Sequence, residues 1–300
     1  MKQVIEVMEL LDDPGVSGEK VREYLEKRGA EEVRAESVAG KKGKTDFVKI
    51  MIRGKSSNAP TLGIIGRLGG VGARPERIGY VSDGDGAAAA LSVALKLVDM
   101  RARGDVLDCN VMINTHICPD APTLPHEPVP FMGGPVDMKV MNEHEVDSSM
   151  DVILSVDTTK GNRILNQRGF AITPTVKEGW ILRVSEELLG IMERVTGRLP
   201  VVLPITMQDI TPYGNEIYHI NSIMQPAAAT KAPVVGVAIT AEAVVPGCAT
   251  GASNAVDIEQ AARFCVEVAK DFGCRKLKFY DEKEFGRLVS LYGKSNLGEK

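Results

Sequence analysis

The chain has 300 residues, 44% of them hydrophobic, and a formal net charge of -4, enough to bury a sizeable core. The acidic balance excludes a nucleic-acid surface, which needs clustered Lys and Arg. No apolar run approaches the roughly 18 residues of a membrane span, and the opening residues lack a signal-peptide pattern. Five cysteines (Cys109, Cys118, Cys248, Cys265 and Cys274) form no close pairing motif, which predicts reduced thiols and a cytoplasmic setting.

Residues 4–11 predict a short helix closed by Asp12-Asp13-Pro14-Gly15. Ser17 has the character of an N-cap for a second helix running to Lys27, with Gly29 ending it. Residues 32–37 and 46–52 alternate like strands and predict an antiparallel pair at a sheet edge, joined across the basic turn Lys41-Lys42-Gly43-Lys44. Residues 61–66 read as a buried strand. Residues 87–100 predict a helix with Leu91, Ala94, Leu95 and Val98 on one face. A strand over 106–115 comes next, then a segment from 116 to 135 dense in Pro and Gly. Loops of that length are uncommon and usually functional. Further on, 140–148 predicts a helix, 152–156 a strand ending at Asp157, and 186–196 a helix. Residues 201–204 predict a strand, 217–224 a short helix, 234–240 a strand, and 258–272 a helix ended by Gly273. Strands alternating with helices predict one α/β domain over 1–300 with a largely parallel or mixed sheet.

The most informative stretch is Tyr80-Val81-Ser82-Asp83-Gly84-Asp85-Gly86, which runs into Ala87-Ala88-Ala89-Ala90-Leu91. Two carboxylates sit on a glycine-punctuated loop after a buried strand and before a helix. Open α/β proteins bind ligands at that edge of the sheet. An acid there also caps the helix and offsets its dipole, so both readings stand for Asp85; Asp83 lies outside the first turn.

The segment Asp13-Pro14-Gly15-Val16-Ser17-Gly18-Glu19-Lys20-Val21-Arg22-Glu23-Tyr24-Leu25 resembles the opening helix pair of the co-catalytic di-zinc aminopeptidases. The order of elements over residues 10–272 is similar as well. The tracts Ile113-Asn114-Thr115-His116-Ile117-Cys118-Pro119-Asp120-Ala121-Pro122 and Gln208-Asp209-Ile210-Thr211-Pro212-Tyr213-Gly214-Asn215-Glu216 resemble hallmarks of a prokaryotic family of unknown function that shares this fold. The resemblance implies a three-layer α/β sandwich with a mixed, largely parallel sheet. It also implies metal ligands at positions that this chain fills only in part. Arg67 stands near the first His of the peptidase pattern and Gly69 near its Asp. Asp83 matches the bridging Asp, Asp120 is the one acid near the Glu-Glu pair, Asp157 matches the next ligand, and no His stands near Gly247-Cys248-Ala249.

Zinc takes about four ligands, so Asp83, Asp120 and Asp157 cannot fill two zinc sites. Arg67 adds a fixed positive charge that opposes a cation. Its expected partner is Asp83 or a substrate carboxylate, held bidentately; a structural salt bridge is the alternative. His116, Cys118, Asp120, His126 and Glu127 could hold one metal with Asp83, or could be packed and hydrogen-bonded instead. His144, within Asn142-Glu143-His144-Glu145, reads as part of an acidic surface helix. A Gly-x-Ser-x-Gly elbow is absent, and Gly84-Asp85-Gly86 is too acidic to cradle phosphate.

The leading expectation is an aminopeptidase-like hydrolase with a degenerate metal site, cleaving an amide bond in a small peptide or acylated amino acid. Asp83, Asp157, His116 and His126 would hold one divalent ion such as zinc, and Asp120, Asp85 and Arg67 would be catalytic. Two rivals remain: a metal-free binding or scaffold protein, and a non-hydrolytic enzyme with Arg67 as an anion clamp. No nucleic-acid or membrane partner is expected. Tyr213, Tyr218, Ile220, Ile223 and Met224 crowd one short region that must be buried, either by self-association as a homodimer or within the chain's own core.

Overall fold

The computed structural model describes residues 1–41, 43–67, 80–119, 121, 123–125, 131–159, 163–206, 220–242 and 253–294. Two helices open the chain, α1 (Lys2–Asp12) and α2 (Gly18–Lys27), the second capped by the Ser17 hydroxyl, which accepts from the Lys20 amide at 3.3 Å. The antiparallel pair β1 (Glu32–Gly40) and β2 (Gly43–Ile52) follows, then the buried strand β3 (Thr61–Gly66). A 3-10 turn over Ser82–Gly84 opens α3 (Asp85–Arg101), and β4 (Asn110–Ile117) comes next. A two-residue ladder, β5 (Thr123–Leu124) with β6 (Phe131–Met132), precedes α4 (Met138–Glu145) and β7 (Val152–Thr158). The short strands β8 (Gly169–Ile172), β9 (Val176–Lys177) and β10 (Trp180–Ile181) lead to α5 (Glu186–Thr196). Strand β11 (Val234–Thr240) and helices α6 (Ala255–Gly273) and α7 (Glu282–Tyr292) complete the described elements.

The nine-stranded sheet runs β1-β2-β4-β3-β7-β11-β9-β10, with β8 also on β11. Its centre, β4-β3-β7-β11, is parallel, and the flanking pairs are antiparallel. Every residue of β3, β4 and β11 is buried, as expected of parallel strands covered on both faces. On one face Leu62, Ile64, Val111, Ile113, Leu154, Val156, Val235 and Val237 meet α1, α3, α5 and α6. On the other, Ile65, Met112, Ile153 and Ala238 meet Ile220, Ile223 and Met224. The mixed α/β sandwich expected from the resemblance is the fold observed, its parallel centre flanked by antiparallel strands.

Helix α3 sits against the strand ends more closely than side chains normally allow. A Cβ on Gly86 would collide with the Arg67 carbonyl and stand 2.5 Å from the Val156 carbonyl. A Cβ on Gly66 would stand 2.6 Å from the Ala90 methyl. The run Ala87-Ala88-Ala89-Ala90, buried throughout, keeps this contact thin. The acid-bearing loop is thereby pressed onto the C-terminal edges of β3 and β7.

Several expected elements differ. The strand expected over 106–115 starts at Asn110, whose side chain accepts from Gly54 N–H and donates to the Ala59 carbonyl, both at 2.9 Å. Residues 201–204 form only an isolated bridge, Val202 to Ile172. Of the helix expected over 217–224, residues 217–219 lie outside the described residues. The remainder joins a 3-10 segment, Ser222–Ala228, containing Pro226, and proline's missing N–H and ring disfavour an α-helix there. Ile220, Ile223 and Met224, named for self-association, are covered by the chain's own core; Tyr213 and Tyr218 lie outside the described residues. No helix among the described residues is long and apolar enough to cross a membrane.

Candidate functional site

Strand register brings the chemistry together. Gly66 pairs with Thr115 on β4 and with Val156 on β7. One residue further on, His116, Arg67 and Asp157 therefore lie side by side, and the Arg67 amide donates to the Val156 carbonyl at 2.7 Å. Phe47 on β2 and Ala238 on β11 extend this row. With roughly 4.8 Å between strands, the row crosses the sheet at the C-terminal ends of its parallel strands, the edge where open α/β proteins bind ligands. All its members share the face that carries Ile65, Met112 and Ile153.

Arg67 is completely buried. Its Nε lies 2.8 Å from Glu145 Oε2, off the N–H axis, so the two form an ion pair rather than an aligned hydrogen bond. Nη1 donates to Gln225 Oε1 at 2.9 Å and meets Met138 Sδ at 2.9 Å; Nη2 donates to Asn142 Oδ1 at 2.6 Å. The expectation that Arg67 pairs with Asp83 or a substrate carboxylate is thus corrected: its charge partner is Glu145, a buried carboxylate on α4 that also contacts His116 Nδ1. The His116 ring is tilted against Phe47, and Phe47 in turn stacks on His144. The reading of 142–145 as a surface helix is corrected as well. Asn142 and Glu145 are buried because α4 turns its 138, 142 and 145 face onto the sheet.

The second group is acidic. Thr158 Oγ1 donates to the Ser82 carbonyl at 2.9 Å, tying the turn to the end of β7. Asp83 is 5% exposed, and its Oδ2 has no hydrogen-bond partner among the described residues. Burial, followed by the charges of Asp157 and Asp85, pushes its carboxyl well above the usual carboxylate range. Asp157 accepts from the Thr158 amide at 2.7 Å. Asp85 is completely buried, and its Oδ1 accepts from Tyr80 Oη at 2.6 Å and Ser253 Oγ at 2.5 Å. Burial, with Asp85 beside it, holds the Tyr80 phenol far above its ordinary value, so Tyr80 remains a donor. Burial pushes the Cys118 thiol up to about 12 against a hydrogen-bonding contact with Thr45, and Glu145, Asp46 and Asp83 add to the rise.

Of the residues expected in the site, the structure brings together Arg67, Asp83, Asp85, Asp157 and His116. Asp120 and His126 lie outside the described residues. No group of three or more His, Cys, Asp or Glu placed to hold an ion occurs among the described residues. Sequence reasoning missed Glu145, Asn142, Gln225 and Met138. The available signal was the spacing 138, 142, 145, which is one helix face carrying a polar pair where apolar residues are expected.

Fold and site together give a mixed α/β sandwich with a charged cluster at its strand ends. The chain belongs to the family described as "Protein of unknown function (DUF1177)", whose model matches residues 36–299. Among solved structures it is similar to the bottromycin maturation enzyme BotP, with 15% identity and a TM-score of 0.52 over 90% of this chain and 70% of that one. The same enzyme in complex with Mn gives 14% and 0.49 over 90% and 71%. Cytosol aminopeptidase from Coxiella burnetii gives 12% and 0.49 over 87% and 69%. These identities speak to fold alone. No curated protein matches the chain.

Proposed function

We propose that the protein is a hydrolase of amide bonds in small peptides or acylated amino acids, with its reaction centre at Asp83 and Asp157. The observation that supports this most is the Asp83 carboxyl, buried beside two other acids with an oxygen that lacks a hydrogen-bond partner among the described residues. A buried acceptor in that state is costly unless a proton or a cation meets it. The reading places one divalent ion at this oxygen, with Asp83, Asp157, His116 and His126 as its ligands, although the described residues alone gather no such group. Such an ion, when bound, polarises a carbonyl and acidifies a water.

The chain's own residues do the rest. Asp85, enclosed by Tyr80 and Ser253, positions the loop instead of meeting substrate. Arg67, with its guanidinium engaged by Glu145, Asn142 and Gln225, supplies a fixed positive charge next to Asp157 in the row. Asp120 is the proposed general base. The presence of Arg67 also favours a second reading, a metal-free binding protein in which the guanidinium stands in for an ion. A panel of dipeptides and N-acyl amino acids, assayed without metal and with zinc or manganese, separates the two. Hydrolysis that is lost in Asp83→Asn, a variant of equal size, supports the first reading. No turnover on any substrate in any metal rejects it.

A further inference from the structure

We propose that the protein forms a two-fold dimer in which β1 pairs edge to edge with β1 of a second copy, Arg34 of each chain lying opposite Glu36 of the other. No residue of β1 belongs to the proposed reaction centre, so the dimer stands or falls apart from the hydrolase reading. Strand β1 ends the sheet on one side, and its outer edge pairs with no strand among the described residues. Such an edge presents a row of backbone donors and acceptors to any chain that can add a strand. Proteins usually blunt it with a short strand, Pro, Lys or a bulge. Strand β1 has nine residues and neither Pro nor Lys. Its register on β2 runs from Glu32 opposite Met51 to Gly40 opposite Gly43 without a bulge. At the far end of the sheet β10 has two residues.

Antiparallel geometry restricts the register. Along a strand the backbone N–H and C=O of one residue point to one side and those of the next residue to the other. Outward residues must meet outward residues, so a two-fold axis relating identical strands passes through a residue, never between two. An axis at Ala35 keeps residues 32–38 of both copies paired and sets Arg34 against Glu36 twice. An axis at Arg34 sets that residue against itself and Glu32 against Glu36. An axis at Glu36 sets that residue against itself. Unlike charges directly opposite are favourable and like charges destabilising, so charge selects Ala35. The side chains concerned are placed to take part. Arg34 and Glu36 are exposed, Glu36 by 69%. Within its own sheet Arg34 stands opposite Lys49, a like charge that Asp147 holds at 2.7 Å. Glu36 stands opposite Phe47 and lies 3.4 Å from His144. The dimer joins two nine-stranded sheets into one. A two-fold axis normal to the sheet reverses strand direction in the second copy, so the two strand-end sites open on opposite edges.

The test uses the full chain in sedimentation velocity at micromolar concentration. The wild type should sediment at twice the 32.3 kDa of one chain. Arg34→Glu and Glu36→Arg each put two like-charged pairs across the axis, and each alone should weaken the dimer at least about tenfold. Mixing the two variants in equal amounts sets unlike charges opposite again, and should restore a dimer holding one chain of each. Ala35→Cys places a thiol on the axis and keeps the test decisive where a charge reversal fails to fold. Mild oxidation of that variant should link position 35 of one copy to position 35 of the other, as read by peptide mapping. A dimer that both charge reversals leave intact would belong to another surface, such as α7, where Leu291 and Tyr292 are exposed, and would overturn the proposal. A monomeric wild type, folded variants whose mixture stays monomeric, or the absence of the 35-to-35 link overturns it equally.

Discussion

Gly86→Ala tests the claim that the acid-bearing loop is held by direct contact between α3 and two strand ends. The substitution adds one methyl group. In most helices that stabilises, because Ala loses less backbone freedom than Gly. At Gly86 the methyl would overlap the Arg67 carbonyl oxygen and stand 2.5 Å from the Val156 carbonyl oxygen, whereas real Cβ atoms essentially never come under 3.0 Å. Neither obstacle can rotate away as a side chain would, because both are backbone carbonyls, one just past the end of β3 and one within β7, and the Val156 carbonyl already accepts from the Arg67 amide. The N-terminus of α3 must move off the sheet, carrying Asp83 and Asp85 with it. Overpacking usually costs about 1–3 kcal/mol, and a backbone obstacle on two strands puts this case at or above about 3 kcal/mol. The control is Gly190→Ala in α5, where a new Cβ meets nothing within 4 Å; it should stabilise by about 0.5–1 kcal/mol. Urea unfolding of both variants gives the comparison. A Gly86→Ala protein within about 0.5 kcal/mol of wild type would show that the loop is not clamped in this way.

Arg67→Met should destabilise by about 3–5 kcal/mol in urea because it strands the Glu145 charge, and adding Glu145→Met should recover most of that loss; an additive double variant would refute the ion pair. Asp147 is raised by burial but lowered further by Lys49, at 2.7 Å, and by Ser149, ending at about 2. A depressed carboxyl contributes stability that is present above its unfolded value near 4 and disappears as pH falls toward 2. The stability gap between wild type and Lys49→Met, under about 1 kcal/mol for so accessible a pair, should thus be open at pH 6 and closed near pH 2. Thiol alkylation of the native protein at pH 8, followed by peptide mapping, should modify exposed Cys274. It should spare Cys109, Cys118 and Cys265, which burial raises to about 12; fast labelling of Cys118 would show that its burial is wrong.

How much was legible follows from where the signals lie. Elements with local signals were read well: Ser17 before α2, the apolar runs of β3 and β11, and residues 186–196, which match α5. Short strands such as β8 to β10 carry too few residues for a period, and β8 exists because β11 offers it an edge. Helix α7 escaped notice because Gly286 interrupts its apolar spacing, although Asp281 accepts from the Lys283 and Glu284 amides and caps its start. The acids at 83, 85 and 157 were legible because strand-end loops announce themselves in sequence.

The Arg67 partner was not legible, and the reason is physical. Glu145 is 78 positions from Arg67 in sequence, and its neighbours Glu143 and His144 make the helix look solvated. The sheet register alone decides that Arg67 falls between His116 and Asp157, and helix packing alone decides that the 138, 142 and 145 face lies over that row. A sequence shows that an arginine stands where the peptidase pattern has a metal ligand, but its charge must be balanced by whichever carboxylate shares the same buried space. Here that carboxylate belongs to α4 and not to the acid-bearing loop. Asp83 is left with an oxygen unmatched among the described residues. Two groups therefore stand at the strand edge: Arg67 pairs with Glu145, which also contacts His116, and Asp83 keeps a carboxylate oxygen without a hydrogen-bond partner among the described residues.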